Sequence, residues 1–165
     1  MNPVVLPQEI VTRFESRLLD EYTAHYFYKN AANYCENVGY SQAASYFEDE
    51  AEHELVHAKG LQKFLTDWNV QPKLPALTSP VDFTGIVDII DKSYEIEYNL
   101  LEDYNDDTLF TLEKRHLASF NFLSKYVDIQ NESVAQYATL KNKLELIDKE
   151  NKNWINDFQR EELVF

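Results

Sequence analysis

Glu54 and His57 stand three residues apart in the stretch EDEAEHELVHAKGL, residues 48–61, which is rich in helix-forming residues. On a helix that spacing puts a carboxylate and an imidazole on one face, where both can reach a single point. Glu21, Glu97 and Gln130 are further polar residues that interrupt otherwise apolar runs. Three carboxylates, one imidazole and one amide make a hard-to-intermediate donor set, suited to iron or manganese and poorly suited to copper(I). Buried carboxylates without partners would repel one another or take up protons, and a divalent cation removes that cost. A lone ExxH equally describes a solvated salt-bridge face, and Glu21 or Glu97 alone a surface position. Depth along the helices separates these readings.

The runs that hold these residues have helical period. Phe14, Leu18, Glu21, His25, Tyr28, Ala32 and Cys35 alternate four and three apart, so a first helix is expected from about Pro7 to Val38, ended by Gly39. Ser41 is placed to cap a second helix, with Phe47, Ala51, Glu54, Ala58, Leu61, Leu65 and Trp68 on its inner stripe and His57 beside it. Asn69 to Thr84 contains Pro72, Pro75 and Pro80 and no helical period, so it reads as a long connection that crosses one end of the bundle or travels its full height. A third helix carries Ile86, Ile90, Ser93, Glu97, Leu100 and Tyr104. A fourth carries Phe120, Leu123, Val127, Gln130, Val134, Tyr137, Leu144 and Ile147. The turn between them falls within Asn105 to His116, where NDDT and EKRH both offer suitable residues. Trp154, Ile155, Phe158, Leu163 and Phe165 give the tail after Glu150 the makings of a short fifth helix. Counted from the expected helix starts, Glu21, Glu54 and Glu97 each lie roughly 14 residues in, which at ~1.5 Å rise per residue sets them near one level. Antiparallel packing then gathers them at the centre of a four-helix bundle, a known way to build a metal site.

Composition agrees with an all-α protein of one domain spanning 1–165, since 165 residues contain only three glycines and five prolines. A single cysteine, Cys35, excludes an internal disulfide framework and reads as core filler. The 29 acidic residues against 15 Lys and Arg give a net charge of -14, which disfavours nucleic acid and anionic lipid and favours cations. No apolar run approaches the ~20 residues of a membrane span, and MNPVVLPQEI lacks the marks of a secretory leader, so the expected location is cytoplasmic.

Several segments together resemble the ferritin family, most closely the bacterial non-haem ferritins. They are Glu21-Tyr22 with Tyr28 following, EHELVHA, YEIEYNLL and FNFLSKYVDIQNE, in that order and with the long link between the second and third helices. The resemblance implies a ferritin-like antiparallel four-helix bundle with one long crossover and a short C-terminal helix. It further implies that Glu21, Glu54 and His57 hold one iron, with Glu54 bridging to a second iron held also by Glu97. Gln130 would lie beside the pair near the place where oxygen binds, and Tyr28 would hydrogen-bond a ligand and supply an electron. The implied activity is that of a ferroxidase, oxidising two Fe(II) per subunit with O₂ or H₂O₂ and storing Fe(III) mineral inside a homo-oligomeric cage of 24 subunits by family resemblance.

The sequence departs from that pattern in places. Glu132 is followed at the third position by Ala135, so helix four lacks the second ExxH of bacterioferritins and rubrerythrins. Haem is not expected, because Met1 is the only methionine and Leu55 follows Glu54. His53 stands where the family usually has an acid, and Ile129 and Ser133 replace acids of a third iron site, leaving Glu132. His53 or His25 could hold an accessory metal beside the pair, with Glu132 the remaining acid; a hydrogen-bonded core histidine is the plainer role for His25. Trp68 and Trp154 are assigned to packing or subunit contacts. The family closes its shell with a helix after a glycine-containing turn, whereas LIDKENKNWINDFQREELVF has no glycine, so cage and smaller assembly both stay open. The competing functions are a di-iron oxidase or peroxide scavenger without mineral storage, and a structural bundle that binds no redox metal. DNA-coating mini-ferritins fit poorly, because their site is shared between subunits and uses histidines of the first helix.

Overall fold

The computed structural model describes residues 5–78, 81–151 and 155–165, and among them the elements are helical. The first, α1, spans Gln8–Val38. Pro7 precedes it, needing no amide partner there, and its carbonyl accepts from the amides of Ile10 and Val11 at 2.9 and 3.1 Å. Gly39 ends it in the left-handed region, φ 88°, so that the Tyr40 amide reaches back to the Cys35 carbonyl at 2.8 Å. The second helix, α2, spans Ser41–Asp67, α3 spans Ile86–Glu113, α4 spans Leu117–Asn151 and α5 spans Asp157–Val164. Arg115, at φ 58°, turns the chain between α3 and α4, which places the turn in the EKRH region.

Two apolar clusters fill the bundle, one above and one below a single level. The first joins residues 24–35 of α1, 43–51 of α2, 86–90 of α3 and 137–144 of α4. The second joins 10–18 of α1, 58–65 of α2, 100–104 of α3 and 123–126 of α4. These groupings make α1 antiparallel to α2 and α3 and parallel to α4. Because α2 ends in one cluster and α3 begins in the other, the connection between them travels the full height of the bundle. The interval that both clusters skip is occupied by Glu21, Glu54, Glu97 and Gln130, one from each helix.

Ser41 does not cap α2. It is the first helical residue, Tyr40 occupies the cap position, and no side chain there bonds the helix end. The carboxylate of Glu161 on α5 does that work from 119 residues away, accepting from the amides of Gln42 at 2.8 Å and Ala43 at 3.0 Å. Asp157 serves α3 in the same way, accepting from the Ile86 amide at 3.3 Å. A Cβ at Gly85 would collide with that carboxylate and push it from its place. The fifth helix therefore forms as expected from the tail, with its own capping box between Asn156 and Gln159, and it fastens the end of the bundle where α2 and α3 begin. Trp154 lies outside the described residues. Trp68 packs on Phe64 and His116 at ring distances of 6.1 and 4.8 Å. Among the described residues no helix is long and apolar enough to cross a membrane.

Candidate metal centre

Each helix of the bundle delivers its polar residue to the level between the two apolar clusters. Glu21, Glu97, Gln130 and Glu54 are 0, 0, 1 and 2 % exposed. The His57 ring is slightly open, and its Nδ1 lies 3.4 Å from Glu21 Oε2 and 3.3 Å from Glu54 Oε2. Glu21, Glu54 and His57 offer ligand atoms that all fall within 4.8 Å of one another. Glu97 stands outside that close group and accepts hydrogen bonds from the Tyr28 hydroxyl and from Gln130 Nε2. The same Gln130 nitrogen donates to the Glu97 backbone carbonyl at 3.1 Å, which fixes the amide between α3 and α4. Tyr104 donates to Glu21 Oε1, while Glu21 Oε2 is buried without a hydrogen bond. An unspent carboxylate oxygen facing an imidazole and a second acid is what a cation site offers when its donors are already in place.

The electrostatics follow from this crowding. Burial pushes the Glu21 carboxyl up, but the close approach of His57 and Glu54 and the imidazole's charge hold it below the usual carboxylate range. Burial and the adjacent Glu21 charge push Glu54 well above that range. Burial opposes the charged form of His57, yet Glu21 and Glu54 raise its pKa to about 10. Near neutral pH the metal-free group thus holds a proton on His57, and burial beside Glu21 favours the neutral form of Glu54; protons so held must leave before the atoms can ligate. Titration of Zn(II) into weakly buffered protein at pH 7 is expected to release at least about one proton, that of His57, for the first ion bound, with affinity rising as pH rises. Proton release measured by pH-stat, near zero and insensitive to pH, would contradict the ligand assignment.

The sequence did not single out Glu50. It lies one turn before Glu54 on α2, is buried, accepts from the Tyr137 hydroxyl at 3.3 Å and has His53 Nδ1 at 3.2 Å from its other oxygen. A four-residue spacing from Glu54 was the available signal. A cleft of about 230 Å³ between α2 and α4 leads past Glu50, His53 and Glu132 to Glu54 and His57. His53 and Glu132 are exposed at it, and neither joins the close cluster. His25 lies outside the close cluster, half-buried, with Nδ1 2.6 Å from the Ala51 carbonyl. Tyr28 is fully buried and stacks on Tyr137 at 6.0 Å. Acids of α1 and α3 away from this layer are neutralised locally: the buried Asp107 meets Arg13 at 2.6 Å, and Asp20 and Asp103 meet Arg17 at 3.0 and 2.9 Å.

Residues 13–147 match the sequence family described as ferritin-like domain. The chain is similar to a bacterial non-heme ferritin of Campylobacter jejuni, 26 % identical over 144 residues that cover 87 % of this chain and 86 % of the relative. Its similarity to the bacterial non-heme ferritin of Escherichia coli is 22 % over 146 residues, 88 % of each chain. Among solved structures, the open pore ferritin from the archaeon Archaeoglobus fulgidus superposes with a TM-score of 0.86 at 22 % identity, covering 97 % of this chain and 98 % of that one.

Proposed function

Because the chain belongs to the ferritin family over residues 13–147, we propose that it stores iron and oxidises Fe(II) at the buried group in the middle of the bundle. Fe(II) is the substrate, and each subunit takes two. Glu21, Glu54 and His57 receive one ion; Glu54 is shared with a second, which Glu97 also holds. Gln130, hydrogen-bonded to Glu97, orients that carboxylate and borders the space left for O₂ or H₂O₂. Tyr28 donates to Oε1 of the same carboxylate and can supply one electron. Carboxylates stabilise Fe(III) more than Fe(II), so an acidic pocket favours the oxidised product. The Fe(III) then leaves along the α2–α4 cleft, past Glu50, His53 and Glu132, to hydrolyse as mineral inside a homo-oligomeric shell. Ions in passage would meet His53 and Glu132, and His25, with Nδ1 held by a backbone carbonyl, offers Nε2 as an accessory ligand.

The observation that carries this reading is the cluster itself. Donors from α1 and α2 lie within 4.8 Å of one another beneath an apolar wall, and one buried carboxylate oxygen has no hydrogen bond. A structural bundle has no use for such a group, since apolar side chains of similar volume would fill the layer at lower cost. Oxygen uptake on adding Fe(II) to metal-free protein should rise steeply and break near two irons per chain. No uptake above the buffer rate would end the ferroxidase reading. Light scattering after iron loading tests storage: particles that stay dimeric and soluble, with unchanged mass, would leave a di-iron oxidase or peroxide scavenger in place of a mineral store.

A further inference from the structure

Glu21 and Tyr28 are seven residues apart on α1, and Glu97 and Tyr104 are seven apart on α3. Seven residues are about two turns, so each helix presents a carboxylate and a phenol along one face. Since α1 and α3 run antiparallel, each phenol meets the other helix's acid: Tyr28 donates to Glu97 and Tyr104 donates to Glu21. Both phenols are fully buried, at 0 % exposure. Each also lies against a second tyrosine, Tyr28 with Tyr137 at 6.0 Å and Tyr104 with Tyr126 at 5.2 Å. The centre is thus built with approximate twofold symmetry, one phenol to each of the two outer carboxylates.

We propose that Tyr104 is a second electron donor of this centre, equivalent to Tyr28 and acting through Glu21. The inference rests on the ferroxidase reading above. Satisfying a carboxylate needs only a donor, and Gln130 already shows that an amide does this for Glu97. A phenol differs from an amide in that it can also give up an electron and a proton together. Dioxygen takes four electrons on the way to water, and a pair of Fe(II) supplies two. With two phenols the balance closes: one dioxygen, two Fe(II), two phenols and two solvent protons yield two Fe(III), two neutral phenoxyl radicals and two waters. At Tyr104 the O–H bond breaks, the electron travels through Glu21, and the proton passes to reduced oxygen by way of the carboxylate oxygen that accepted the hydrogen bond. Two further Fe(II) then return both phenoxyls to phenols with two protons, so that four Fe(II) are oxidised for each dioxygen without release of peroxide.

The test uses the full-length assembled protein, loaded anaerobically with two Fe(II) per chain and mixed with dioxygen. Freeze-quench electron paramagnetic resonance should count more than one phenoxyl spin per chain in the wild type. Tyr104→Phe should roughly halve that count, and Tyr28→Phe with Tyr104→Phe should abolish it; with four Fe(II) supplied per chain, the Fe(II)-to-dioxygen ratio should fall from four in the wild type toward two in the double variant as hydrogen peroxide appears. A purely structural hydrogen bond would alter rates without moving the spin count or the peroxide yield. Oxygen uptake in the wild type with spin count and peroxide yield unchanged by Tyr104→Phe would overturn this proposal alone. A wild-type count that never exceeds one spin per chain would overturn it without any variant, and an absence of oxygen uptake would overturn both it and the ferroxidase reading.

Discussion

Glu54→Ala and His57→Ala are each expected to slow the initial oxidation of Fe(II) by ~100-fold or more, beyond what loss of an orienting neighbour costs a metal site. Glu54 is the acid shared by the two proposed ions, so its removal leaves both underligated, whereas His57 supplies the only imbedded imidazole of the close cluster. Neither change should unfold the protein. Metal-free Glu54 is already driven toward its neutral form by burial and by Glu21, so Glu54→Gln in particular leaves the shape and the net charge of the layer nearly as they were. Helical circular dichroism and a melting curve at wild-type position, combined with stopped-flow oxidation, separate a ligand from a structural residue. Wild-type initial rates in both alanine variants would remove these residues from the reaction.

Glu161→Ala is expected to cost about 3 kcal/mol of stability, because it deletes two charge-assisted bonds to the amides of Gln42 and the buried Ala43 and leaves that partly buried helix end without a protein acceptor. For a chain of this size such a loss lowers the melting temperature by roughly 6–12 °C. Glu161→Gln keeps an acceptor oxygen but no charge, so it should fall between the wild type and the alanine variant. The oxidation rate of either folded variant at low temperature should stay near that of the wild type, since the cap stands at the end of the bundle and the polar layer at its middle. A shift of less than roughly 2 °C for Glu161→Ala would show that water replaces the carboxylate at little cost.

The two predictions differ in how much of each could be read from the chain. Glu54 and His57 declare themselves by local spacing, and the depth count from helix starts brings Glu21 and Glu97 to their level. Gln130 follows from its place in an apolar stripe, and it does lie buried against Glu97. The partnership of Glu161 with the start of α2 has no local signal at all, and the helix-capping pattern pointed instead to Ser41. A serine beside an expected helix start satisfies the statistical preference for a cap, but a charged acceptor held by a packed helix competes better for the same amides. Glu50 was missed for a related reason. Ala51 filled the expected stripe, and only the packing of α4, with Tyr137 reaching across to it, turns Glu50 inward.

By itself, then, the sequence determined the number of long helices, the apolar face of each, the full-length connection and the polar layer that interrupts four stripes at one depth. These are properties of periodicity and of residue chemistry, which are written locally along the chain. The tertiary structure alone decided which oxygen meets which donor: Tyr104 with Glu21, Tyr28 with Glu97, Glu161 with the amides of α2. Such pairings depend on the relative heights and rotations of helices far apart in sequence, and a shift of one residue in either, about 1.5 Å along and 100° around the helix, would break them while leaving every local pattern intact.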